Sequence, residues 1–159
     1  MKITFITVGK LKEKHIKAAV DEYAKRLSRY VKLSIIEVAD EPAKERLSNA
    51  EEQIILREEG GRILRHIKES GYVIATAISG MPLTSVAFAD KITKLSVDGY
   101  SHIYFIIGGS LGLSSEVTKR ADFLLSFSQM TFPHQLMRVI LAEQVYRAFR
   151  INSGEPYHK

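Results

Sequence analysis

The C-terminal end of this 159-residue chain carries three side chains that together can engage a nucleic-acid base. Tyr157 has a ring that can stack on an exposed base, and Lys159 has a cation that can contact phosphate. His158 lies between them and can exchange a proton near neutral pH. Chain ends fray unless contacts hold them, so a disordered tail without a role is the alternative, and the sequence alone favours it.

A glycine-rich loop, Gly108-Gly109-Ser110-Leu111-Gly112, follows an apolar strand and precedes a helix capped by Ser114 or Ser115. Glycines let the backbone approach a ligand closely and adopt positive φ. The loop lacks the Gly-Lys-Ser/Thr ending of a Walker loop, and its spacing differs from the dinucleotide-binding G-x-G-x-x-G pattern. A tight turn without a ligand is the alternative interpretation.

A second loop, Ser126–His134, mixes aromatic, thioether and small polar residues, which suits a flat heterocycle held by backbone contacts. Loops normally run over the surface, so one that carries Phe127, Met130 and Phe132 should cover something apolar. The alternative is that these side chains close the core. His134, just after Pro133, is expected to be a neutral, hydrogen-bonded imidazole.

Three arginines, Arg138, Arg147 and Arg150, lie on the predicted last helix. They could hold phosphates, or pair with Glu143 and stabilise the C-terminal end of the helix. The other histidines are scattered, so the sequence predicts no metal site.

These loops and the tail need a scaffold, and the hydrophobic pattern alternates strands with helices. The predicted strands are Lys2–Val8, Leu33–Val38, Tyr72–Ile78, His102–Ile107 and Asp122–Phe127. Four of the predicted helices are Lys12–Tyr30, Thr84/Ser85–Val97, Ser115–Arg120, and Pro133 to about Arg150. A further helix, the second along the chain, is predicted to begin at Pro42 and to end at Gly71, with a possible break at Gly60-Gly61. This alternation predicts an α/β fold with a mostly parallel sheet and helices on both faces. Ligands bind such sheets at the C-terminal strand ends, where Ser79–Pro82, Gly108–Gly112 and Phe127–Phe132 would meet.

Length and composition indicate a single domain spanning 1–159, with 45% hydrophobic and 26% charged residues. The chain has no cysteine, which excludes disulfides, a thiolate nucleophile and Cys-ligated metal. No apolar run is long enough to span a membrane and no signal peptide is evident, so a cytoplasmic protein of a prokaryotic-type cell is expected.

Positive charge is concentrated near the start of the chain. The net charge is +5, and residues 1–32 carry nine Lys or Arg against three acids. A polyanion partner would explain this, and a solvated helix face is the alternative.

Three segments together resemble the ribosomal RNA large-subunit methyltransferase H family of the SPOUT superfamily: Tyr104–Gly112, Ser126–Arg138 and Pro156–Lys159. The likeness covers essentially the whole chain. It implies an α/β fold with a deep C-terminal trefoil knot, whose cofactor-binding part is about 72–159. It also implies a homodimer packed through the last helix, with one tail reaching over the partner's cofactor. The apolar residues compatible with that interface are Leu136, Val139, Ile140, Val145, Tyr146 and Phe149.

The resemblance implies methylation of N3 of a pseudouridine in 23S rRNA on the assembled ribosome, with S-adenosylmethionine as donor and no metal. The implied cofactor contacts are Thr76, Gly108, Phe127, Ser128, Gln129, Met130, Thr131 and Phe132. His158 would accept or orient a proton, Tyr157 would position the base, and Arg147 with Lys159 would contact phosphate.

RNA would also bind the basic N-terminal face, through Lys10, Lys12, Lys14 and Lys17. The open alternatives are a non-catalytic ribosome- or RNA-binding protein, a SPOUT methyltransferase acting on tRNA, and, more weakly, a nucleotide-binding domain of flavodoxin type.

Overall fold

A single sheet of five parallel strands in the order β2-β1-β4-β3-β5 forms the centre of the computed structural model, which describes residues 1–159. The strands are β1 (Lys2–Val8), β2 (Lys32–Val38), β3 (Tyr72–Pro82), β4 (His102–Ile107) and β5 (Phe123–Ser126). The helices are α1 (Lys14–Leu27), α2 (Asn49–Leu64), α3 (Ser85–Val97), α4 (Ser115–Arg120) and α5 (His134–Asn152). The predicted element order and parallel sheet are confirmed.

Helices cover both faces of the sheet, as the apolar composition of the strands predicts. On one face Phe5 and Phe105 pack against α1, α3 and α5 in a cluster of 18 buried residues. On the other face Ile6 and Ile106 pack against α2 and α4 in a cluster of nine. The central strands are therefore buried on both sides, and only their ends are open to a ligand.

The prediction for the second helix was wrong at both ends. The helix begins at Asn49, where Ser48 accepts from Glu51 N and Glu51 accepts from Ser48 N. Pro42 lies in the preceding loop, and the helix ends at Leu64 rather than at Gly71. Gly60-Gly61 does not break it, because both glycines lie within its regular turns.

The predicted loop Ser79–Pro82 belongs instead to β3, which continues to Pro82. Leu125 of β5 is partnered with both Thr76 and Met81, so residues 77–80 are an insertion in the β3 side of the ladder. A Cβ on Gly80 would lie 2.7 Å from the carbonyl carbon of Leu124, so this close crossing of β5 requires glycine.

The apolar surface predicted for the last helix is narrower than its sequence indicates. Val145 and Tyr146 are buried in the chain's own core, at 0% and 8% exposure, so they offer no surface to a partner. Leu136 remains 38% exposed, and Val139, Ile140 and Phe149 are half-buried. No helix is long and apolar enough to cross a lipid bilayer.

Candidate functional site

A cavity of about 530 Å³ opens where β3, β4 and β5 end, below the segment that leads into α5. This volume lies within the range of small-molecule sites, roughly 300–1,000 Å³. Seven of the eight predicted cofactor-binding residues line it, and Gln129 does not: Thr76, Gly108, Phe127, Ser128, Met130, Thr131 and Phe132. The fold thus brings together loops that are separated by about fifty residues of sequence.

The glycine loop presents main chain to the cavity because side chains do not fit there. A Cβ on Gly108 would lie 2.4 Å from the carbonyl oxygen of Gly112, a backbone atom that cannot rotate away. Gly112 has φ +85°, which favours glycine, and pairs with Gly109 across the loop. These contacts exclude side-chain atoms beside Gly108, so a ligand there meets backbone.

The segment from Phe127 to Phe132 forms one wall of the cavity. Ser128 Oγ accepts from Met130 N at 2.9 Å, and Ser126 Oγ donates to the carbonyl of Ser128 at 3.1 Å, so the turn is held by its own side chains. Met130 is 74% exposed although it lines the cavity. This wall therefore combines an ordered turn with an apolar side chain open to solvent.

Sequence reasoning missed the lining residues Ala77 and Ile78, and it placed Ser79 only in a loop expected at this edge of the sheet. They belong to the insertion in β3, and Gly80 beside them was the available signal, since a glycine inside a strand often marks a bulge. Ile78 is 51% exposed, which adds a second open apolar side chain at the rim.

His134 also lines the cavity, at the start of α5. Burial lowers its pKa, and the neighbouring Arg138 adds to this effect while Asp40 opposes it. The imidazole is therefore favoured in its neutral form, as predicted, but it makes no hydrogen bond with the protein.

The three predicted catalytic residues lie together at the C-terminal half of α5. Tyr157 Oη donates to Glu143 Oε1 at 3.1 Å, and Arg147 pairs with the same oxygen at 2.6 Å. Arg147 Nη1 contacts His158 Nδ1 at 3.3 Å, and its guanidinium lies 4.7 Å from the Tyr157 ring centroid. Burial and the bond to Glu143 raise the pKa of Tyr157 to about 12. The tail makes defined contacts, so the expectation of a disordered tail was wrong, while its functional role stays a prediction.

This tail cluster and the cavity are separate within one chain. None of Tyr157, His158 and Arg147 lines the cavity, whereas His134 at the other end of α5 does. Glu143 stands nine residues after His134, which corresponds to roughly 13 Å along a helix. The reactive centre of a ligand in the cavity would therefore not meet the tail of the same chain.

The predicted basic residues Lys10, Lys12, Lys14, Lys17 and Lys159 are all exposed. Lys17 pairs with Asp21 at 3.0 Å, and the other four have no acidic partner. The phosphate-binding alternative for Arg138 was wrong, because this side chain is 2% exposed and bonds to Glu37 and to main-chain carbonyls. No group of three or more metal-ligating side chains is present.

The arrangement described so far, a parallel sheet with a cavity at its C-terminal edge, is typical of α/β domains that bind small molecules there. The family model described as "Predicted SPOUT methyltransferase" matches residues 1–158. The chain is 61% identical over its full length to the full-length "Ribosomal RNA large subunit methyltransferase H" of Bifidobacterium adolescentis, and equally identical to that of Alkaliphilus oremlandii. The chain therefore belongs to the SPOUT methyltransferase family.

Solved structures agree with this fold at low sequence identity. The tRNA (m1G37) methyltransferase from Aquifex aeolicus aligns with a TM-score of 0.50 and 16% identity, over 92% of this chain and 70% of that one. A Legionella pneumophila protein described as a methyltransferase, solved with S-adenosylmethionine bound, aligns with a TM-score of 0.50 and 14% identity, over 94% and 66%. SPOUT methyltransferases use S-adenosylmethionine as methyl donor, as the sequence resemblance implied.

The cavity fits that donor by its own chemistry. The main chain of Gly108 is part of the lining, so a flat heterocycle there would lie against backbone, and Phe127 and Phe132 supply apolar walls. Thr118, Ser79 and Thr131 add polar side chains around the same volume.

Proposed function

We propose that this protein transfers a methyl group from S-adenosylmethionine to N3 of a pseudouridine in 23S rRNA, acting on the assembled ribosome in the cytoplasm. The observation that carries the proposal is the backbone-lined cavity at Gly108, found in a chain 61% identical to proteins named ribosomal RNA large subunit methyltransferase H. In this proposal residues 1–159 are one domain, and about 72–159 form its knotted cofactor-binding part.

The predicted residues that line the cavity hold the cofactor in this proposal. Thr76 acts through its main chain, because its hydroxyl already donates to the carbonyl of Ile106 at 3.0 Å. Gly108 and the turn at Ser128 present backbone groups, and Phe127 with Phe132 cover the heterocycle. Gln129, which lies outside the cavity, has no cofactor contact in one chain.

The bound cofactor supplies an electrophilic methyl group, so the protein must orient the base and stabilise charge as the N3 proton leaves. An arginine can only donate, so the contact of Arg147 with His158 Nδ1 requires that nitrogen to accept. The ring proton of a neutral His158 then lies on Nε2, where it can donate to an oxygen of the base. This supports the orienting and anion-stabilising role of His158 over the proton-accepting role, and the N3 proton is then released to solvent water.

Tyr157 acts by position and not by ionisation. Its pKa of about 12 keeps the phenol protonated at neutral pH, and its hydroxyl is held by Glu143. The ring is thereby fixed as a surface on which a base can stack. Glu143 is the residue that sequence reasoning regarded only as a partner for arginine, and it holds both Tyr157 and Arg147.

A homodimer completes the site in this proposal. The tail and the cavity of one chain lie apart, and two exposed apolar side chains line the cavity, Ile78 and Met130. Three more are exposed in β3 and near the starts of α3 and α5: Met81, Val86 and Leu136. Pairing two copies through this surface would bury these side chains and bring the tail of one chain to the cavity of the other. Arg147 and Lys159 would then contact phosphate, with Lys10, Lys12, Lys14 and Lys17 extending the RNA surface.

Calorimetric titration with S-adenosylmethionine tests the cofactor site. Gly108→Ala is expected to weaken binding at least about tenfold, because the loop must shift away from Gly112. The matched control is Gly61→Ala, whose Cβ would meet nothing within 4 Å. Equal affinity of Gly108→Ala and wild type for S-adenosylmethionine would show that the cavity is not the cofactor site.

Complementation tests the shared site. Gly108→Ala and His158→Ala should each abolish or strongly reduce methyl transfer to ribosomes. After mixing and subunit exchange, each heterodimer has one intact site of two and should recover about half of the activity of a wild-type dimer. No recovery in verified heterodimers would mean that each chain uses its own tail.

A further inference from the structure

The tail is anchored through Glu155, a residue that the proposed reaction does not use. Its carboxylate accepts from the hydroxyl of Tyr30 at 2.7 Å and from Arg150 Nη1. Its own amide donates to the carbonyl of Arg150 at 3.0 Å. Glu155 is therefore bonded through both backbone and side chain, two residues before Tyr157.

Tyr30 is a rigid support for this anchor, although it lies 125 residues away in the sequence. It stands in the turn between α1 and β2, stacked on Phe149 with ring centroids 5.8 Å apart. It also meets Tyr146 edge-on at 6.2 Å, and Tyr146 in turn meets Tyr157 at 5.0 Å. The same aromatic cluster therefore supports Tyr30, which binds Glu155, and also contacts Tyr157.

The hydroxyl of Tyr30 remains a donor over the working pH range. Its bond to Glu155 and burial raise the pKa of Tyr30, and Arg150 opposes this only in part. The groups that meet at this contact are the phenol of Tyr30, the carboxylate of Glu155 and the guanidinium of Arg150, and the phenol stays neutral.

We infer that Tyr30 and Glu155 are positioning residues that order the C-terminal segment before RNA binds. Without this contact the segment 156–159 would be a free chain end, and it would have to become ordered each time that substrate binds. With it Tyr157 and His158 are held in advance against Glu143 and Arg147. This inference rests on the proposed function for its consequence in catalysis, but not for the ordering itself.

Amide hydrogen exchange tests the ordering on the purified protein without any substrate. Tyr30→Phe and Glu155→Gln should each speed exchange at the amide of residue 155, which donates to the carbonyl of Arg150, by about tenfold. The first variant removes the donor of the Tyr30–Glu155 contact and the second removes its charge. The matched controls are Tyr100→Phe, whose hydroxyl has no recorded partner, and Glu45→Gln, an exposed carboxylate without an ion pair. Both controls should exchange like wild type.

Steady-state kinetics on ribosomes lacking the modification test the consequence. Tyr30→Phe and Glu155→Gln should lower kcat about tenfold while the affinity for S-adenosylmethionine is unchanged, which a general loss of fold would not produce. The double variant should lose little more than either single one, because both act through one contact.

The outcomes separate the inference from the proposed function. Unchanged exchange in both variants would overturn the ordering, and faster exchange with unchanged kcat would overturn its role in catalysis. If wild-type protein transfers no methyl group to ribosomes, the proposed function fails, while the exchange result still decides whether Tyr30 and Glu155 order the tail.

Discussion

Arg138 and Glu37 lie 101 residues apart in the sequence, and their side chains meet at 2.7 Å. The guanidinium of Arg138 also donates to the carbonyls of Val8 and Gly9, both at 2.8 Å. Glu37 in turn accepts from the amide of Leu11 at 2.9 Å. This contact joins the start of α5, which lines the cavity, to the loop after β1, which carries Lys10 and Lys12.

Replacing Arg138 with lysine should destabilise the protein by roughly 1–3 kcal/mol, because the single nitrogen of lysine cannot take the positions of both Nη1, which donates to Glu37, and Nη2, which donates to the two carbonyls. Urea unfolding would measure this. Arg26→Lys is the control, since its pair with Glu22 is exposed to solvent and should contribute little to stability. Equal stability of the two variants would mean that the buried contact contributes nothing beyond a surface pair.

Adjacent glycines in α2 should respond in opposite directions to alanine. Gly61→Ala should stabilise the fold by about 0.5–1 kcal/mol, because the site is open and alanine favours helix. Gly60→Ala should destabilise it by about 1–3 kcal/mol, since its Cβ would lie 2.3 Å from Oγ and 3.1 Å from Cβ of the buried Ser114. Thermal or urea unfolding measures both, and the same sign of change in the two variants would contradict the close packing of α2 on α4.

The stability of the protein should fall in mild acid partly through His134. Burial lowers its folded-state pKa below the ordinary 6.5, so the unfolded chain binds the proton more readily. This penalty is absent above about 6.5 and grows as the pH falls toward the folded-state pKa. His102, whose pKa is also lowered by burial, acts in the same direction, and Glu59, whose pKa burial raises, acts in the opposite one.

Comparison with His134→Gln isolates this contribution, because the other two groups are common to both proteins. Between about pH 7.5 and about pH 5.5, the free energy of unfolding should fall less in the variant than in wild type. Parallel pH profiles would show that His134 titrates alike in the folded and unfolded states.

Reversing the charge of Lys12 and Lys14 should weaken ribosome binding and leave cofactor binding unchanged. Both side chains are exposed and have no acidic partner. Each lost phosphate contact should reduce the slope of log affinity against log salt by about 0.7–0.9. Lys94→Glu with Lys119→Glu makes the same change in net charge elsewhere on the surface, so an equal loss in this control would indicate attraction by net charge alone.

Local signals in the sequence were sufficient to predict many of the helices and strands. Thr84 and Ser114 each cap their helices as predicted, because a cap depends only on the next few residues. The start of α2 was predictable for the same reason, since Ser48 and Glu51 have the capping-box spacing, but Pro42 was preferred. The loop before Ser48 is held by distant contacts, including Arg62 to the carbonyl of Ala39, which no local pattern reports.

The parts of the site at the ends of strands could be predicted from the sequence. The parts whose burial or order depends on long-range packing could not. The cavity follows from loops at the C-terminal edge of a parallel sheet. The burial of Arg138, Val145 and Tyr146 depends on the elements that pack over them, and so does the order of the tail, which Tyr30 helps to hold. The helical pattern assigns the side chains of α5 to one face of the helix, but it does not show which elements pack on that face.

The most direct test of the account is mass spectrometry of rRNA nucleosides after ribosomes lacking the modification are incubated with the protein and S-adenosylmethionine. The account predicts one new methyl group on N3 of a pseudouridine in 23S rRNA, and none in tRNA offered alongside. Methylation of tRNA alone, or binding to ribosomes without any methyl transfer, would contradict it.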